Sequence, residues 1–245
     1  MPTVITRVAT TRTATRASTR VAAVALAASA AFVPVPASAD TYENYADLAA
    51  HEVEGTDYRR VLRTPSGAEV SHLAIHGGAI EGGTSPLADH AAGSGGHAFY
   101  AFEGIKSTGN GVLHITASNF DEPKALSLQS KVFRTVSWHG ASGTHATTYV
   151  GGRDEALVTK VKAALDAAGF AVAEVVPPGL AGTDPLNIAN RNRTGMGVQL
   201  EITEAQRKRF FQDGKLNRAW TEDRTHWTPE LFAYVAAVND ALQQP

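Results

Sequence analysis

The sequence of 245 residues contains no cysteine. This absence excludes disulfide bonds, thiolate zinc sites and cysteine nucleophiles, so metal chemistry has to rely on nine histidines and 24 acidic residues. All nine histidines lie after residue 50. Hydrophobic residues make up 43% of the chain and charged residues 19%. These fractions exclude a wholly disordered protein and are typical of a domain with a sizeable buried core.

Several catalytic and nucleotide-binding motifs are missing as well. The sequence has no phosphate-binding P-loop, no glycine-rich dinucleotide motif at a strand–helix junction, no G-x-S-x-G nucleophile elbow and no H-E-x-x-H zinc motif. Support is therefore lacking for a nucleotide-dependent enzyme, for a serine hydrolase with a nucleophile elbow and for a zinc peptidase of the H-E-x-x-H type.

Residues 1–39 have the pattern of a secretory signal peptide. Four arginines and no acidic residue precede an apolar run at 21–33, and the small-residue site Ala37-Ser38-Ala39 follows. The apolar run is shorter than the ~20 residues that a membrane-spanning helix needs. We therefore predict cleavage after Ala39 and a secreted, extracellular protein. The remaining residues 40–245 show no repeat and no long linker, and we expect them to form a single domain.

Removing this segment changes the charge balance of the protein. Without its four arginines, 18 basic residues face 24 acidic residues, and the net charge is −6. An acidic, secreted domain is a poor general binder of nucleic acid or of anionic membranes. We expect neither as a partner, and we expect a monomer.

Strand and helix patterns alternate along residues 40–245. Such alternation predicts an α/β fold, a three-layer sandwich with a central β-sheet. Strands are predicted at 59–63, 69–75, 132–138, 147–150, 170–176 and 197–202, and the apolar, aromatic segments 97–103 and 111–116 are separated by a predicted turn at 107–110. Helices are predicted at 42–54, 85–92, 122–130, 153–168, 204–211 and 228–242. Ligands of such folds bind where strands end and loops collect.

The segment from His76 to Glu81 is the first candidate metal site. Two glycines after His76 allow a sharp turn, so that Glu81 can point back toward the imidazole. Histidine and carboxylate suit zinc, and His139 at the end of another predicted strand is the best third ligand, with the fourth position open. The alternative is a glycine turn flanked by a hydrogen-bonding histidine and a solvated glutamate. Spacing alone leaves both interpretations open.

Other polar residues offer weaker signals. Glu201 lies within an apolar strand pattern, where it is either a general base near a metal or the outward-facing residue of an alternating strand. Arg191 and Arg193 are suited to binding carboxylates, although loop arginines are more often only solvated. Four other histidines are more simply explained as surface or core residues: His90, His97, His114 and His145.

Taken in order, a set of motifs resembles the zinc-dependent poly-γ-glutamate hydrolases of phages and bacteria. The resemblance covers roughly residues 42–212, and several motifs in one order are more specific than any single motif. The matching segments are 74–84 (AIHGGAIEGGT), 100–104 (YAFEG), 113–116 (LHIT), 119–123 (NFDEP), 136–140 (VSWHG), 149–153 (YVGGR), 190–191 (NR) and 197–202 (GVQLEI).

The resemblance implies a fold similar to that of metallocarboxypeptidases, with a mixed sheet and one zinc ion per chain at the strand ends. It implies that His76, Glu81 and His139 are the zinc ligands and that Glu201 is the general base. It also implies that arginines hold substrate carboxylates: Arg191, with Arg153 or Arg193. The segment after about Asp213 carries no motif of the family.

The function implied by the resemblance is zinc-dependent hydrolysis of γ-glutamyl amide bonds in poly-γ-glutamate. Two alternatives stay open. A zinc carboxypeptidase or amidase could use the same site on cell-wall stem peptides or ordinary peptides. A non-catalytic protein could use the cleft to bind an anionic polymer, but such a binder has no need of Glu201 or of an open metal position.

Overall fold

The computed structural model describes residues 1–3 and 40–243. Apart from its first three residues, the predicted signal peptide 1–39 lies outside this part of the chain. Secretion and cleavage after Ala39 therefore stay predictions. A search of the described helices finds none with both the length and the apolar character needed to cross a membrane.

Six strands form one mixed sheet with the order β1-β3-β2-β4-β6-β5. The four central strands run parallel, while β1 and β5 pair antiparallel at the two edges. This topology confirms the predicted α/β class with a central mixed sheet. The strands are β1 (Tyr58–Arg63), β2 (Val70–Gly78), β3 (Ala98–Gly104), β4 (Arg134–Ala141), β5 (Thr148–Gly152) and β6 (Val198–Thr203).

Helices pack on both faces of this sheet, as expected for three layers. One face is covered by α2, α4 and α7, and the other by α1, α3 and the short 3₁₀ turn Asn110–Leu113. The helices are α1 (Tyr45–His51), α2 (Thr84–Gly95), α3 (Pro123–Gln129), α4 (Glu155–Ala167), α5 (Glu204–Arg209), α6 (Arg218–Glu222) and α7 (Pro229–Gln243). The likeness to metallocarboxypeptidases stays an expectation.

The predicted strand at 170–176 is wrong. Only an isolated bridge forms there, between Thr148 and Val172, with two backbone hydrogen bonds around it. Phe170 packs into the core instead, and Pro177 follows with no backbone N–H to offer a neighbouring strand. The apolar pattern of this segment therefore reflects one anchoring side chain beside the edge strand β5.

A β-bulge in β2 sets the direction of His76. Ala74 pairs with Ala101 and Gly77 with Glu103, so three steps on β2 match two on β3. Strict alternation would turn the side chain of residue 76 to the same face as Ala74, which packs under α2. Because of the extra residue, His76 turns to the opposite face, where its ring stacks on His114.

Candidate metal centre

Three side chains from two strand ends and one loop converge on a single point. Nδ1 of His76 lies 3.1 Å from Oε1 of Glu81 and 3.1 Å from Nδ1 of His139. Nδ1 of His139 lies 3.8 Å from Oε2 of Glu81. His76 and His139 are 2% and 3% exposed, so both imidazoles are buried, while Glu81 is only partly buried. The structure thus brings together the three residues predicted as metal ligands.

Hydrogen bonds on the far side of each imidazole fix its orientation. Nε2 of His76 donates to the carbonyl oxygen of Ile115 at 2.9 Å, and Nε2 of His139 lies 2.9 Å from Oγ of Ser137. When Nδ1 of each ring is unprotonated, its lone pair points into the cluster. Histidines that bind metals have the same arrangement, in which the second nitrogen is held by a polar partner.

The carboxylate of Glu81 is fixed in a similar way. Its Oε2 accepts a hydrogen bond of 2.8 Å from the backbone N–H of Gly140, the residue after His139. The backbone N–H of Glu81 donates to the carbonyl oxygen of His76 at 2.9 Å, which closes the glycine turn predicted between these residues. The turn therefore brings the carboxylate back toward the imidazole, in agreement with the metal-site interpretation.

The donor set fits a zinc ion. A tetrahedral zinc ion with ligand bonds of about 2.0–2.2 Å holds its ligand atoms about 3.3–3.6 Å apart. The two separations from Nδ1 of His76, 3.1 Å to Oε1 of Glu81 and 3.1 Å to Nδ1 of His139, lie just below that range, and the other oxygen of Glu81 lies 3.8 Å from Nδ1 of His139. The two Nδ1 atoms and the carboxylate face one another, while both Nε2 atoms and Oε2 of Glu81 are already hydrogen-bonded elsewhere. A cation between these donors would stabilise them.

Burial and mutual charge shift the pKa values of these groups. Burial alone would raise the pKa of Glu81, but the charge and hydrogen bond of His76 lower it to about 2. The pKa of His76 is raised, because Glu81 outweighs the opposing effect of burial. Burial lowers the pKa of His139 to about 3, so this ring is neutral and has a lone pair to offer at ordinary pH.

Glu201 stands beside this cluster on the neighbouring strand. It pairs in register with His139, and its side chain therefore lies on the same face of the sheet. Burial raises the pKa of Glu201 well above the usual range of a carboxyl group, and the negative charge of Glu81 raises it further. A buried carboxyl next to a prospective metal is the arrangement that a general base requires.

The buried amide of Gln199 holds Glu201, and the buried amide of Asn187 holds Gln199 in turn. Nε2 of Gln199 donates to Oε1 of Glu201 at 2.8 Å, and Nδ2 of Asn187 donates to Oε1 of Gln199 at 2.7 Å. Gln199 lies two residues before Glu201, so strand alternation alone places both side chains on one face. Asn187 comes from a distant loop, and no pattern in the sequence indicates its contact.

His114 is a third residue whose place beside the site the sequence did not indicate. Its ring stacks on His76 with centroids 3.9 Å apart, and it offers a nitrogen within 4.8 Å of donor atoms of His76 and Glu81. Nδ1 of His114 lies 2.7 Å from Oδ1 of Asp40, whose Oδ2 accepts the backbone N–H of Thr116 at 2.6 Å. His76, Glu81 and His114 by themselves form a group that could hold a metal ion, so His114 is a candidate ligand beside His139.

The three predicted substrate-binding arginines are all exposed, at different places. Arg193 stacks on the ring of Phe133, 4.2 Å from its centroid, at the end of β4 away from His139. The side chains of Arg153 and Arg191 form no hydrogen bond or ion pair with the described residues. Arg153 follows Gly152, which pairs with Val198 on β6, so its backbone lies about 10–13 Å from Glu201 along the strand. Their roles stay predictions.

Comparison with known proteins adds a family to this geometry. A family model described as poly-gamma-glutamate hydrolase matches residues 42–237. The chain belongs to this family. The match includes the whole cluster and reaches beyond Asp213, so the family extends further toward the C-terminus than the motifs in the sequence indicate. As a member of the poly-gamma-glutamate hydrolase family, the protein is a hydrolase.

Proteins of Bacillus subtilis (strain 168) are similar to this chain. YoqZ, derived from the SPbeta prophage, is 44% identical over 210 residues, which cover 84% of this chain and 73% of YoqZ. YmaC is 38% identical over 208 residues, which cover 84% of this chain and 85% of YmaC.

Two solved structures share the fold. A bacteriophage poly-gamma-glutamate hydrolase has a TM-score of 0.78 and 35% sequence identity, covering 83% of this chain and 96% of its own. A zinc-free apo form of YndL has a TM-score of 0.75 and 35% identity, covering 84% of this chain and 98% of its own. At this similarity the two structures support the fold of the family throughout the described domain.

Proposed function

We propose that this protein is a secreted, zinc-dependent hydrolase of γ-glutamyl amide bonds in poly-γ-glutamate. The observation that carries the proposal is the convergence of His76, Glu81 and His139 on one point, with Glu201 beside them on the same face. Family membership supports the substrate class, and the donor chemistry supports zinc.

His76 and His139 would hold the ion through Nδ1, and Glu81 through a carboxylate oxygen. The hydrogen bonds to Ile115, Ser137 and Gly140 keep these donors in place before the ion binds. Zinc bound here would supply Lewis-acid activation of the scissile carbonyl and of the attacking water.

Glu201 would move the proton in the hydrolytic step. Water adds to the carbonyl carbon of the γ-glutamyl amide, and its proton passes to the carboxylate of Glu201. The C–N bond then breaks, and Glu201 gives the proton to the leaving α-amine, which restores the carboxylate. Gln199 donates a hydrogen bond to one oxygen of Glu201, so the other oxygen is free of this bond. The bond also orients the carboxylate for the proton transfer.

Arg191 and Arg153 would bind the polymer away from the scissile bond. Each γ-linked residue keeps a free α-carboxylate, so a polyanion extends in both directions from the site. Arg191 belongs to a loop that contacts Gln199 through Asn187, and Arg153 lies at the end of β5. Arginine pairs with carboxylates in a bidentate manner, which suits both positions.

The decisive experiment combines metal analysis with polymer degradation. Wild-type protein and the Glu201→Gln variant are purified, loaded with zinc and incubated with poly-γ-glutamate, and product length is followed by chromatography. We expect about one zinc per chain in both proteins and cleavage by the wild type only. Cleavage by Glu201→Gln at the wild-type rate would show that Glu201 is not the base.

The same assay separates the alternatives. Zinc-loaded wild-type protein that cleaves muropeptides or α-peptides but leaves poly-γ-glutamate intact would change the substrate, and binding without cleavage would indicate a non-catalytic protein. Secretion is tested by N-terminal sequencing of protein recovered from the medium, for which Asp40 is the expected first residue.

A further inference from the structure

Arg207 is a buried cation behind the candidate metal centre. It belongs to α5 and is 7% exposed, yet no ion pair among the described residues includes it. All of its hydrogen bonds go to backbone carbonyl oxygens instead. Nε donates to Ile202 at 3.1 Å, Nη1 to Gly82 at 2.8 Å and Nη2 to Ala141 at 3.2 Å. A guanidinium removed from water without a carboxylate partner is unusual and points to a specific role.

The three carbonyl oxygens come from segments that carry the site. Gly82 directly follows Glu81, Ile202 directly follows Glu201, and Ala141 comes two residues after His139. The strands β4 and β6 are neighbours in the sheet, but Gly82 lies in the loop after β2. The planar guanidinium therefore joins this loop to the ends of both strands, through donors whose relative directions are fixed.

Gly140 makes room for this arrangement. A Cβ atom at this position would lie 2.6 Å from Cζ of Arg207 and 2.8 Å from its Nε, which is closer than carbon atoms pack. The backbone N–H of the same glycine donates to Oε2 of Glu81. Gly140 thus contacts the carboxylate through its backbone N–H and the guanidinium where a Cβ atom would stand, so any side chain here would displace the guanidinium.

We propose that Arg207 is a positioning residue of the metal centre, which fixes Glu81 and Glu201 relative to His139 by holding the backbone after each of them. The proposal rests on the proposed function only in that the cluster binds zinc. Its consequence is that Arg207 sets zinc affinity and the turnover rate without touching the ion or the substrate.

The test compares Arg207→Lys and Arg207→Gln with a matched control in the same helix. Arg209→Gln is the control, because Arg209 is exposed and pairs with Glu230 at the surface. Thermal melting establishes that each variant is folded. Zinc affinity is then measured by competition with a chelating dye, and kcat and KM are measured at saturating zinc on poly-γ-glutamate.

We expect both Arg207 variants to bind zinc about 10–100-fold more weakly, the range typical of lost outer-shell contacts, with a smaller loss for lysine than for glutamine. We also expect kcat to fall while KM stays within about twofold, because the substrate-binding arginines are untouched. Arg209→Gln should match the wild type in all three quantities. A folded Arg207→Gln protein with wild-type zinc affinity overturns the proposal.

Gly140→Ala provides an independent route if both Arg207 variants fail to fold. This substitution keeps every donor of Arg207 but forces the guanidinium away from its carbonyl partners. Weakened zinc binding supports the proposal, and wild-type affinity overturns it. Because zinc affinity needs no substrate, a wild-type protein that binds zinc without cleaving poly-γ-glutamate would contradict the proposed function while leaving this test intact.

Discussion

Nδ1 of His76 and Nδ1 of His139 face each other at 3.1 Å, and Nε2 of each ring is hydrogen-bonded on its far side. Two such nitrogens on neutral rings repel unless a proton or a cation lies between them. We therefore expect a chelator to abolish activity and zinc to restore it. Zinc at 1,000 times its Kd should also stabilise the fold by about 4 kcal/mol, because only the folded state assembles the site.

Histidine variants provide the control for this prediction. His139→Ala should lose both the bound zinc and the thermal shift that zinc produces, as measured by metal analysis and scanning calorimetry. His145→Ala removes an exposed imidazole nearby in the sequence and should leave both unchanged. Full zinc binding by His139→Ala would exclude this residue from the ligand set.

Glu201→Gln should lower kcat by about 10²–10⁴-fold, the contribution typical of a general base. Glutamine keeps the size of the side chain and can still meet Gln199, so zinc content and melting temperature should change little. The matched control is Glu204→Gln, which removes an exposed carboxylate that pairs with Lys208 at the surface. If both glutamine variants are equally active, the base lies elsewhere.

Activity on the polymer should fall as ionic strength rises. A domain with a net charge of −6 repels a polyanion overall, so binding has to come from local cations that salt screens over about 10 Å at 0.1 M. Arg191→Ala should raise KM and weaken the salt dependence, as shown by kinetics at several salt concentrations. Arg193→Ala is the comparison, because Arg193 stacks on Phe133. Rates that do not vary with salt would indicate a small or neutral substrate.

The stability of the fold should decrease as the pH falls below about 6.5. Nε1 of Trp138 donates to Nδ1 of the buried His72, whose Nε2 lies 3.0 Å from Nδ1 of His97. Burial and the nearby His97 hold the pKa of His72 well below its usual value. The unfolded chain, with an ordinary pKa of about 6.5, then binds more protons than the folded one, so acid favours unfolding by up to about 1.4 kcal/mol per pH unit.

The variant His72→Gln isolates this contribution. It should be less stable than the wild type at pH 7.5 by about 1–3 kcal/mol, because the hydrogen bond from Trp138 is weakened or lost. Its stability should also fall less steeply between pH 7 and pH 5. Urea unfolding at several pH values measures both quantities, and parallel curves for the two proteins would assign the acid sensitivity to other groups.

Much of the secondary structure can be predicted from local patterns. The helix α4 has Leu157, Val161 and Leu165 on one face and Asp154 as its N-cap, and all of these features lie within one stretch of sequence. The strands β4 and β6, which contain His139 and Glu201, can also be predicted from local patterns. The predicted strand at 170–176 is wrong because one pattern of apolar residues is compatible with two structures. The pattern fits a paired strand, and it fits equally well a loop that is anchored in the core by an apolar side chain.

The sequence by itself determined the chemistry available: no thiolate, a glycine pair that allows Glu81 to turn back toward His76, and an ordered set of motifs that resembles one family of hydrolases. Tertiary structure alone decided how these groups meet. The bulge in β2 turns His76 toward the site, and contacts across more than 60 positions bring in Asp40 and Arg207. The periodicity of apolar residues in the sequence indicates only which face of its own helix or strand a residue occupies. The convergence of separate elements depends on strand register and loop packing, which the whole fold sets together.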